Sequence, residues 1–166
     1  MIRIGLLSDT HGYLHPSVFE FFSEVDEVWH AGDIGTEAVA DALSAFRPLL
    51  AVHGNIDGAP LRMMYPEHQL VEREGLRCLL MHIGGYPGRY SSQGRDLIRR
   101  HRPGLFISGH SHILKAMPDP VQGLLHLNPG AAGYQGMHHK ITLMRFRIAG
   151  GRAEALEVFE TERKRI

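Results

Sequence analysis

The sequence predicts an α/β layered domain in which helices cover the faces of a sheet. Over residues 1–53, short apolar strands alternate with amphipathic helices, and each strand ends in a turn of glycine, aspartate, asparagine or histidine. Such an alternation favours right-handed crossovers between parallel strands. With 166 residues the chain is long enough for one sizeable core and too short for two catalytic domains, so we expect one domain over residues 1–166.

The elements follow from hydrophobic periodicity and turn residues. Apolar runs predict strands at 2–7, 27–30 and 49–53, and helical spacing predicts helices at 15–25 and about 37–46. The second half predicts one helix at about 92–101 among strands at about 69–73, 78–82, 105–108, 113–116, 124–127, 140–148 and 153–160. Gly150-Gly151 indicates a hairpin turn between the last two strands.

Charge and cysteine content limit the function classes. Eighteen basic and eighteen acidic residues cancel, so stable nucleic-acid binding is not expected and a nuclease is disfavoured. No apolar segment approaches the roughly 20 residues of a membrane helix. Cys78 lies alone in an apolar run, which favours an inert core thiol over a nucleophile. These features lead us to expect a cytoplasmic protein without membrane contact.

Side chains that bind metals follow five of the predicted strands. In open α/β sheets, ligands bind beyond the carboxyl ends of the strands, so we expect these side chains to meet. A mixture of nitrogen and oxygen donors without thiolates suits Mn, Fe, Ni or Zn. Each residue alone could be a cap, a turn former or a core histidine, but caps and turns do not require so many histidines. The set is Asp9, His11, Asp33, Asn55, Asp57, His82, His110 and His112.

The same residues carry a family resemblance. Asp9-Thr10-His11, Gly32-Asp33, Gly54-Asn55-Ile56-Asp57, His82 and Gly109-His110-Ser111-His112, in this order, resemble the calcineurin-like metallophosphoesterase superfamily. The short chain, together with Asn128-Pro129-Gly130, resembles its small single-domain bacterial and archaeal phosphodiesterases, which are relatives of a retromer scaffold subunit. The resemblance implies a four-layer α/β/β/α sandwich of two mixed sheets.

It also implies a binuclear centre. Asp9, His11 and His112 would hold one divalent ion, Asn55, His82 and His110 the other, and Asp33 would bridge them. The expected reaction is hydrolysis of a small phosphodiester by a hydroxide that bridges two ions, with manganese favoured and iron, nickel or zinc as alternatives. Asp33 and Asn55 are therefore the candidate catalytic residues, Asn55 because its amide can also face the phosphate.

Other residues are candidates for supporting roles. Asp57 is expected to orient a ligand and His30 to support the site or pack in the core. Ile56 follows Asn55 where many relatives have a proton-donating histidine, which favours substrates with good leaving groups. In a glycine-rich segment, Arg89 could bind a phosphate oxygen, and Tyr86 could stack on a base or donate a proton; the alternative is an ordinary loop with exposed aromatic residues.

Two rival functions remain. The chain could be a non-catalytic protein-interaction scaffold on the same fold, or a phosphomonoesterase. The chain has all seven ligands that the resemblance implies, which favours an enzyme, since a scaffold has no need of them. The sequence does not identify the substrate or the metal, and it leaves room for a homo-oligomer.

Overall fold

The computed structural model describes residues 1–164, so residues 165 and 166 of the expected domain lie outside the described residues. The elements in chain order are β1 (Ile2–Leu7), α1 (Ser17–Phe21), β2 (Glu27–His30), α2 (Glu37–Phe46), β3 (Leu49–Ala51), α3 (Ala59–Met64), β4 (His68–Arg73), β5 (Leu76–Met81), β6 (Gly85–Tyr86), β7 (Arg89–Tyr90), α4 (Ser92–His101), β8 (Leu105–Ile107), β9 (Leu114–Asp119), β10 (Leu124–Pro129), β11 (Lys140–Ala149) and β12 (Arg152–Glu162).

Two five-stranded sheets, both mixed, carry the architecture. The first has the order β12-β11-β1-β2-β3, in which β1, β2 and β3 run parallel and β11 is antiparallel to β1. The second has the order β4-β5-β8-β10-β9, in which β5, β8 and β10 run parallel and the two edge strands are antiparallel. The strands β6 and β7 form a separate hairpin. Parallel strands from both sheets therefore direct their carboxyl ends to loops that can share one site.

Apolar side chains from the facing surfaces of the two sheets form the central core, with Leu6 and Trp29 on one side and Leu80 and Ile107 on the other. The helices α1, α2 and α3 cover the outer face of the first sheet, and α4 covers the outer face of the second. This arrangement confirms the four-layer α/β/β/α sandwich. Cys78 lies fully buried in the central core, and burial raises the pKa of its thiol to about 12, as expected for an inert residue.

Several boundaries differ from the sequence-based prediction. The helix predicted at 15–25 ends at Phe21, because the next residues turn: Ser23 N–H donates to Glu20 O, and Val25 N–H to Phe22 O. The third strand ends at Ala51. The prediction missed α3, although a proline in the first turn is a helix-start signal, and the β6–β7 hairpin, whose strands are two residues each. Within residues 1–164, no helix is long and apolar enough to cross a membrane.

Candidate metal centre

The loops that follow β1, β2, β3, β5 and β8 bring the predicted ligands together. Two groups have one potential ligand atom per residue within 4.8 Å of one another: Asp9, His11 and His112, and Asp33, His82 and His110. Asn55 joins the second group, because its Oδ1 lies 3.1 Å from His110 Nδ1. Each group takes residues from loops of both sheets, so the packing of the two sheets sets its geometry.

Asp9 is the centre of the first group. Its Oδ2 accepts hydrogen bonds from Ser8 Oγ at 2.7 Å and from the His110 backbone N–H at 3.1 Å. Its Oδ1 lies 3.2 Å from His112 Nε2 and 3.8 Å from His11 Nε2. One oxygen therefore fixes the carboxylate to the protein, and the other faces the imidazoles.

Asp33 lies between the two groups. Its Oδ2 is 3.2 Å from His82 Nε2 and 3.5 Å from His11 Nε2, so it approaches an imidazole of each group. Its Oδ1 accepts a hydrogen bond from the Ile56 backbone N–H at 3.1 Å. This position is compatible with a carboxylate that contacts two ions.

Unpartnered buried atoms test whether these residues fit a metal. Within the described residues, Asp9 Oδ1, His11 Nε2 and His82 Nε2 are buried and have no hydrogen-bond partner. A buried polar atom without a partner costs free energy, and these three atoms face the same small space. Ligand atoms about 2.1 Å from one ion at tetrahedral or octahedral angles lie about 3.0–3.4 Å apart. The 3.2 Å separation of His112 Nε2 from Asp9 Oδ1 and of His82 Nε2 from Asp33 Oδ2 matches that spacing.

The backbone is strained at the same positions. Five candidate ligands adopt positive φ angles, a region that non-glycine residues rarely occupy. Such a conformation costs on the order of 1 kcal/mol per residue and persists where surrounding structure imposes it, as at many functional sites. The angles are 55° for Asp9, 47° for His11, 55° for Asp33, 70° for His110 and 61° for His112.

Two glycines allow the loops to approach this closely. A Cβ on Gly32, which has φ of 101°, would lie 2.6 Å from His82 Nδ1. A Cβ on Gly54 would overlap the Asp33 carboxylate and the Asp33 backbone nitrogen. The glycines in the Gly32-Asp33 and Gly54-Asn55 motifs therefore make room for ligand side chains.

Hydrogen bonds fix the tautomers of two ligand histidines. His82 Nδ1 lies 2.7 Å from the Ala31 carbonyl, which can only accept, so Nδ1 carries the proton and Nε2 a lone pair. His138 Nε2 donates likewise to Gly133 O at 2.7 Å, and its Nδ1 lies 3.2 Å from His112 Nδ1. Neutral His138 thus accepts from His112 Nδ1–H and leaves His112 Nε2 free. Such partners commonly orient metal-binding histidines.

His138 was missed by the sequence analysis. The high histidine content, twelve residues, is the one signal that pointed toward it, and no spacing linked it to a ligand motif. Burial lowers the pKa of His138, which favours the neutral ring that this hydrogen-bond chain requires.

Asp57 and His30 support the loops. Asp57 accepts hydrogen bonds from the backbone N–H groups of Ile34, Gly35 and Gly54. It therefore ties the loop after β2 to the loop after β3. The sequence predicted that Asp57 orients a ligand, but among the hydrogen bonds of residues 1–164 none joins Asp57 to a candidate ligand histidine. His30 is fully buried, with Nε2 3.0 Å from Thr10 Oγ1 and with Nδ1 accepting from Gly32 N–H at 3.1 Å.

The electrostatics of the site favour a bound cation. Burial alone would raise the pKa of Asp9, but the imidazoles of His11 and His112 hold it well below its usual range. Burial would likewise raise the pKa of Asp33, and the nearby His82 lowers it. In turn, the Asp9 carboxylate raises the pKa of His11. The carboxylates thus stay ionised, and because the pKa values of His11 and His82 are raised, a metal ion must compete with protons for these two imidazoles.

Two depressions flank the candidate ligands. One, of about 420 Å³, is lined by Asn55, Arg62 and His82 among others. The other, of about 230 Å³, is lined by His110, Tyr86, Arg89 and Lys115 among others. Tyr86 and Arg89 therefore lie beside a candidate ligand, and their role in substrate binding stays a prediction. Arg62 and Lys115 were not predicted, because neither belongs to a ligand motif.

A family model decides the relationship. Residues 2–151 match the model of the calcineurin-like phosphoesterase superfamily domain. The chain belongs to this superfamily. A probable metallophosphoesterase of Methanocaldococcus jannaschii is 32% identical to this chain over 134 residues. The match covers 77% of this chain and 67% of the relative.

Two solved structures share the fold of this chain. Vps29 of Chaetomium thermophilum superposes with a TM-score of 0.76 at 15% identity, over 99% of this chain and 100% of the other. A protein described as a novel archaeal phosphodiesterase superposes with a TM-score of 0.73 at 22% identity, over 95% of this chain and 100% of the other. These likenesses show that the chain shares its fold with both proteins over nearly their whole length.

Proposed function

We propose that this chain is a metal-dependent phosphodiesterase with a binuclear centre. The observation that carries the proposal is the pair of ligand groups around Asp9 and Asp33, with buried, unpartnered donor atoms that face each other. Membership of the phosphoesterase superfamily supports hydrolysis of a phosphate ester. The choice of a diester rests on the resemblance to small phosphodiesterases and on room for ester substituents on both sides of the ligands.

Each residue has a role in this proposal. Asp9, His11 and His112 would hold one divalent ion, His82, His110 and Asn55 the other, and Asp33 would contact both. Two such ions would supply positive charge that binds phosphoryl oxygens, and they would lower the pKa of a bound water. Asn55 and His110 are exposed, so they can face substrate as well as metal. Asp33 keeps its orientation through the Ile56 backbone N–H.

The leaving group has no proton donor at position 56. Ile56 is half exposed and contributes only its backbone N–H, to Asp33. General acid catalysis typically contributes a factor of about 10²–10⁴. We therefore expect aryl diesters, whose leaving groups need no protonation, to be hydrolysed much faster than alkyl diesters.

The decisive experiment compares metal-stripped protein with and without Mn²⁺ on a chromogenic aryl phosphodiester. Asp33→Asn should abolish manganese-dependent hydrolysis, because the amide cannot supply charge to both ligand groups. Asp41→Asn makes the same chemical change on an exposed position of α2 and should leave the rate unchanged. Turnover that is indifferent to Asp33, or absent with Mn, Fe, Ni and Zn alike, would contradict the proposal.

The same experiment separates the alternatives. Faster hydrolysis of the matched aryl phosphomonoester would favour a phosphomonoesterase. Metal binding without hydrolysis of either ester would favour a protein-interaction scaffold, an alternative supported by the fold shared with Vps29. Manganese as the native metal, a single domain over residues 1–166, a cytoplasmic location and a homo-oligomeric state stay predictions.

A further inference from the structure

A small pocket adjoins the second ligand group, beneath the hairpin of β6 and β7. We call it the hairpin pocket and define it by Tyr86, Arg89, His110, Ile113, Lys115 and His126. Its volume is about 230 Å³. Because His110 belongs both to this pocket and to the ligand group of Asp33, a phosphoryl group at the ligands would direct one ester substituent into the pocket.

His126 gives the pocket a hydrogen-bond requirement. The side chain is buried, at 1% exposure, and its Nδ1 lies 3.1 Å from the Phe106 carbonyl. A carbonyl can only accept, so Nδ1 carries the proton and Nε2 offers a lone pair. Within residues 1–164 that buried Nε2 has no hydrogen-bond partner. A ligand that fills the pocket would satisfy it by donating an N–H or O–H.

Burial also keeps this ring neutral. It lowers the pKa of His126 to about 4, and the charge of Lys115 acts in the same direction. Near neutral pH, His126 therefore cannot bind a phosphate oxygen as a cation would. Its partner must be a donor on the uncharged part of a ligand.

The remaining walls favour a flat ring. The Lys115 ammonium lies 3.8 Å from the centroid of the Tyr86 ring, which is 36% exposed. Ile113 and Ile83 add exposed apolar surface, and Arg89 adds a second cation. Aromatic and apolar walls with one buried acceptor suit a heteroaromatic ring that carries an amino group, and the cations suit the phosphate attached to it.

We propose that the hairpin pocket binds an amino-bearing nucleobase on one side of the scissile phosphodiester, with His126 Nε2 accepting a hydrogen bond from the amino group. The inference rests on the proposed phosphodiesterase function and specifies its substrate class as a nucleotide diester. His126 is a specificity residue in this proposal, while hydrolysis itself depends on the metal ligands.

The test compares two substrates with the same leaving group, the p-nitrophenyl esters of adenosine 5′-phosphate and of purine riboside 5′-phosphate. Purine riboside lacks only the amino group. In the wild-type protein the purine riboside ester should have a KM about tenfold higher than the adenosine ester, with an unchanged kcat. One neutral hydrogen bond is lost, and the buried acceptor His126 Nε2 is left without a partner. In His126→Phe the two KM values should be equal, both near the higher value.

Controls separate this inference from the proposed function. Phenyl p-nitrophenyl phosphate carries no base, so its hydrolysis by the wild type reports on the metal centre independently of base recognition. His139→Phe, at an exposed position outside the pocket, should keep the tenfold difference between the nucleoside esters. Equal KM values in the wild type would overturn the inference while hydrolysis of the phenyl ester upholds the phosphodiesterase.

If no ester is hydrolysed, the proposed phosphodiesterase function is wrong. The nucleobase site can still be tested by a binding measurement. Calorimetry with adenosine and with purine riboside then tests the pocket directly. Tighter binding of adenosine, lost in His126→Phe, would support the nucleobase site. No binding of adenosine to the wild type would overturn it.

Discussion

Replacing His138 should weaken one metal site and leave the other intact. His138 contacts the first ligand group through His112, whose Nδ1 lies 3.2 Å from His138 Nδ1, with the two rings at 81°. Among the described hydrogen bonds, none joins His138 to Asp33, His82 or His110. His138→Ala therefore removes the acceptor that holds the His112 ring and its tautomer, and it removes no ligand.

The magnitude follows from how well water can replace the lost acceptor. Loss of an outer hydrogen-bond partner typically lowers metal affinity about 10–100-fold, or about 1.4–2.7 kcal/mol. The His112 side chain is 17% exposed, so water can reach Nδ1 once His138 is gone. We therefore expect about a tenfold loss, the lower end of that range.

Calorimetric titration of metal-stripped protein with Mn²⁺ measures this effect. In His138→Ala, one of two binding events should weaken about tenfold while the other is unchanged. His138→Asn should restore most of the affinity, because its amide oxygen can accept from His112 Nδ1–H. His139→Ala, the exposed neighbour, serves as the matched control. If His138→Ala keeps its fold and binds both ions as tightly as the wild type, the orienting role of His138 is wrong.

Two further predictions concern close packing and buried charge. Gly54→Ala should lower the free energy of unfolding by about 1–3 kcal/mol and abolish tight Mn²⁺ binding, because the new Cβ overlaps the Asp33 carboxylate. Gly58→Ala, which meets no atom within 4 Å, should change neither, and equal effects of the two variants in chemical denaturation and calorimetry would contradict the steric argument. Since burial lowers the pKa of His126 to about 4, the folded protein resists protonation of this ring, and its contribution to stability is lost as pH falls from about 6.5 toward 4. His126→Asn should therefore reduce the loss of unfolding free energy between about pH 7.5 and about pH 5 by about 2 kcal/mol, and an unchanged pH dependence would show that the pKa of His126 is the same in the folded and the unfolded chain.

The strand and loop pattern could be predicted from the sequence because each ligand motif is local. Asp9 comes two residues after β1 and Asp33 three residues after β2, and the rule that loops meet at the carboxyl ends of parallel strands places them together. The periodicity alone favoured a layered α/β domain, and only the family resemblance led to two stacked mixed sheets. Strand order is a tertiary property: β11 inserts beside β1 from the far end of the chain, which no local pattern indicates.

The local sequence pattern could not predict the contacts that refine the site, because they join residues that are far apart in the chain. His138 reaches His112 from a loop 26 residues away, and the carbonyl that fixes the His82 tautomer belongs to Ala31. His126 occupies a strand whose composition predicts a core residue, and only the pairing of β10 with β8 and β9 brings it to the pocket. Asp57 was expected to orient a ligand, but its carboxylate accepts hydrogen bonds from three backbone N–H groups.

The two ligand groups also connect the sheets. Asp9 and His11 come from the first sheet and His112 from the second, while Asp33 comes from the first and His82 and His110 from the second. Each ion would therefore bridge loops of the two sheets, in addition to the hydrogen bonds that already join them from His110 N–H to Asp9 Oδ2 and from His82 Nδ1 to Ala31 O. Left-handed backbone at five of these residues, and buried donor atoms without partners, raise the free energy of the metal-free fold. The core between the sheets must supply that free energy, because the strained loops cannot. The packing of Leu6 and Trp29 against Leu80 and Ile107 is thus part of what keeps the site preorganised for metal.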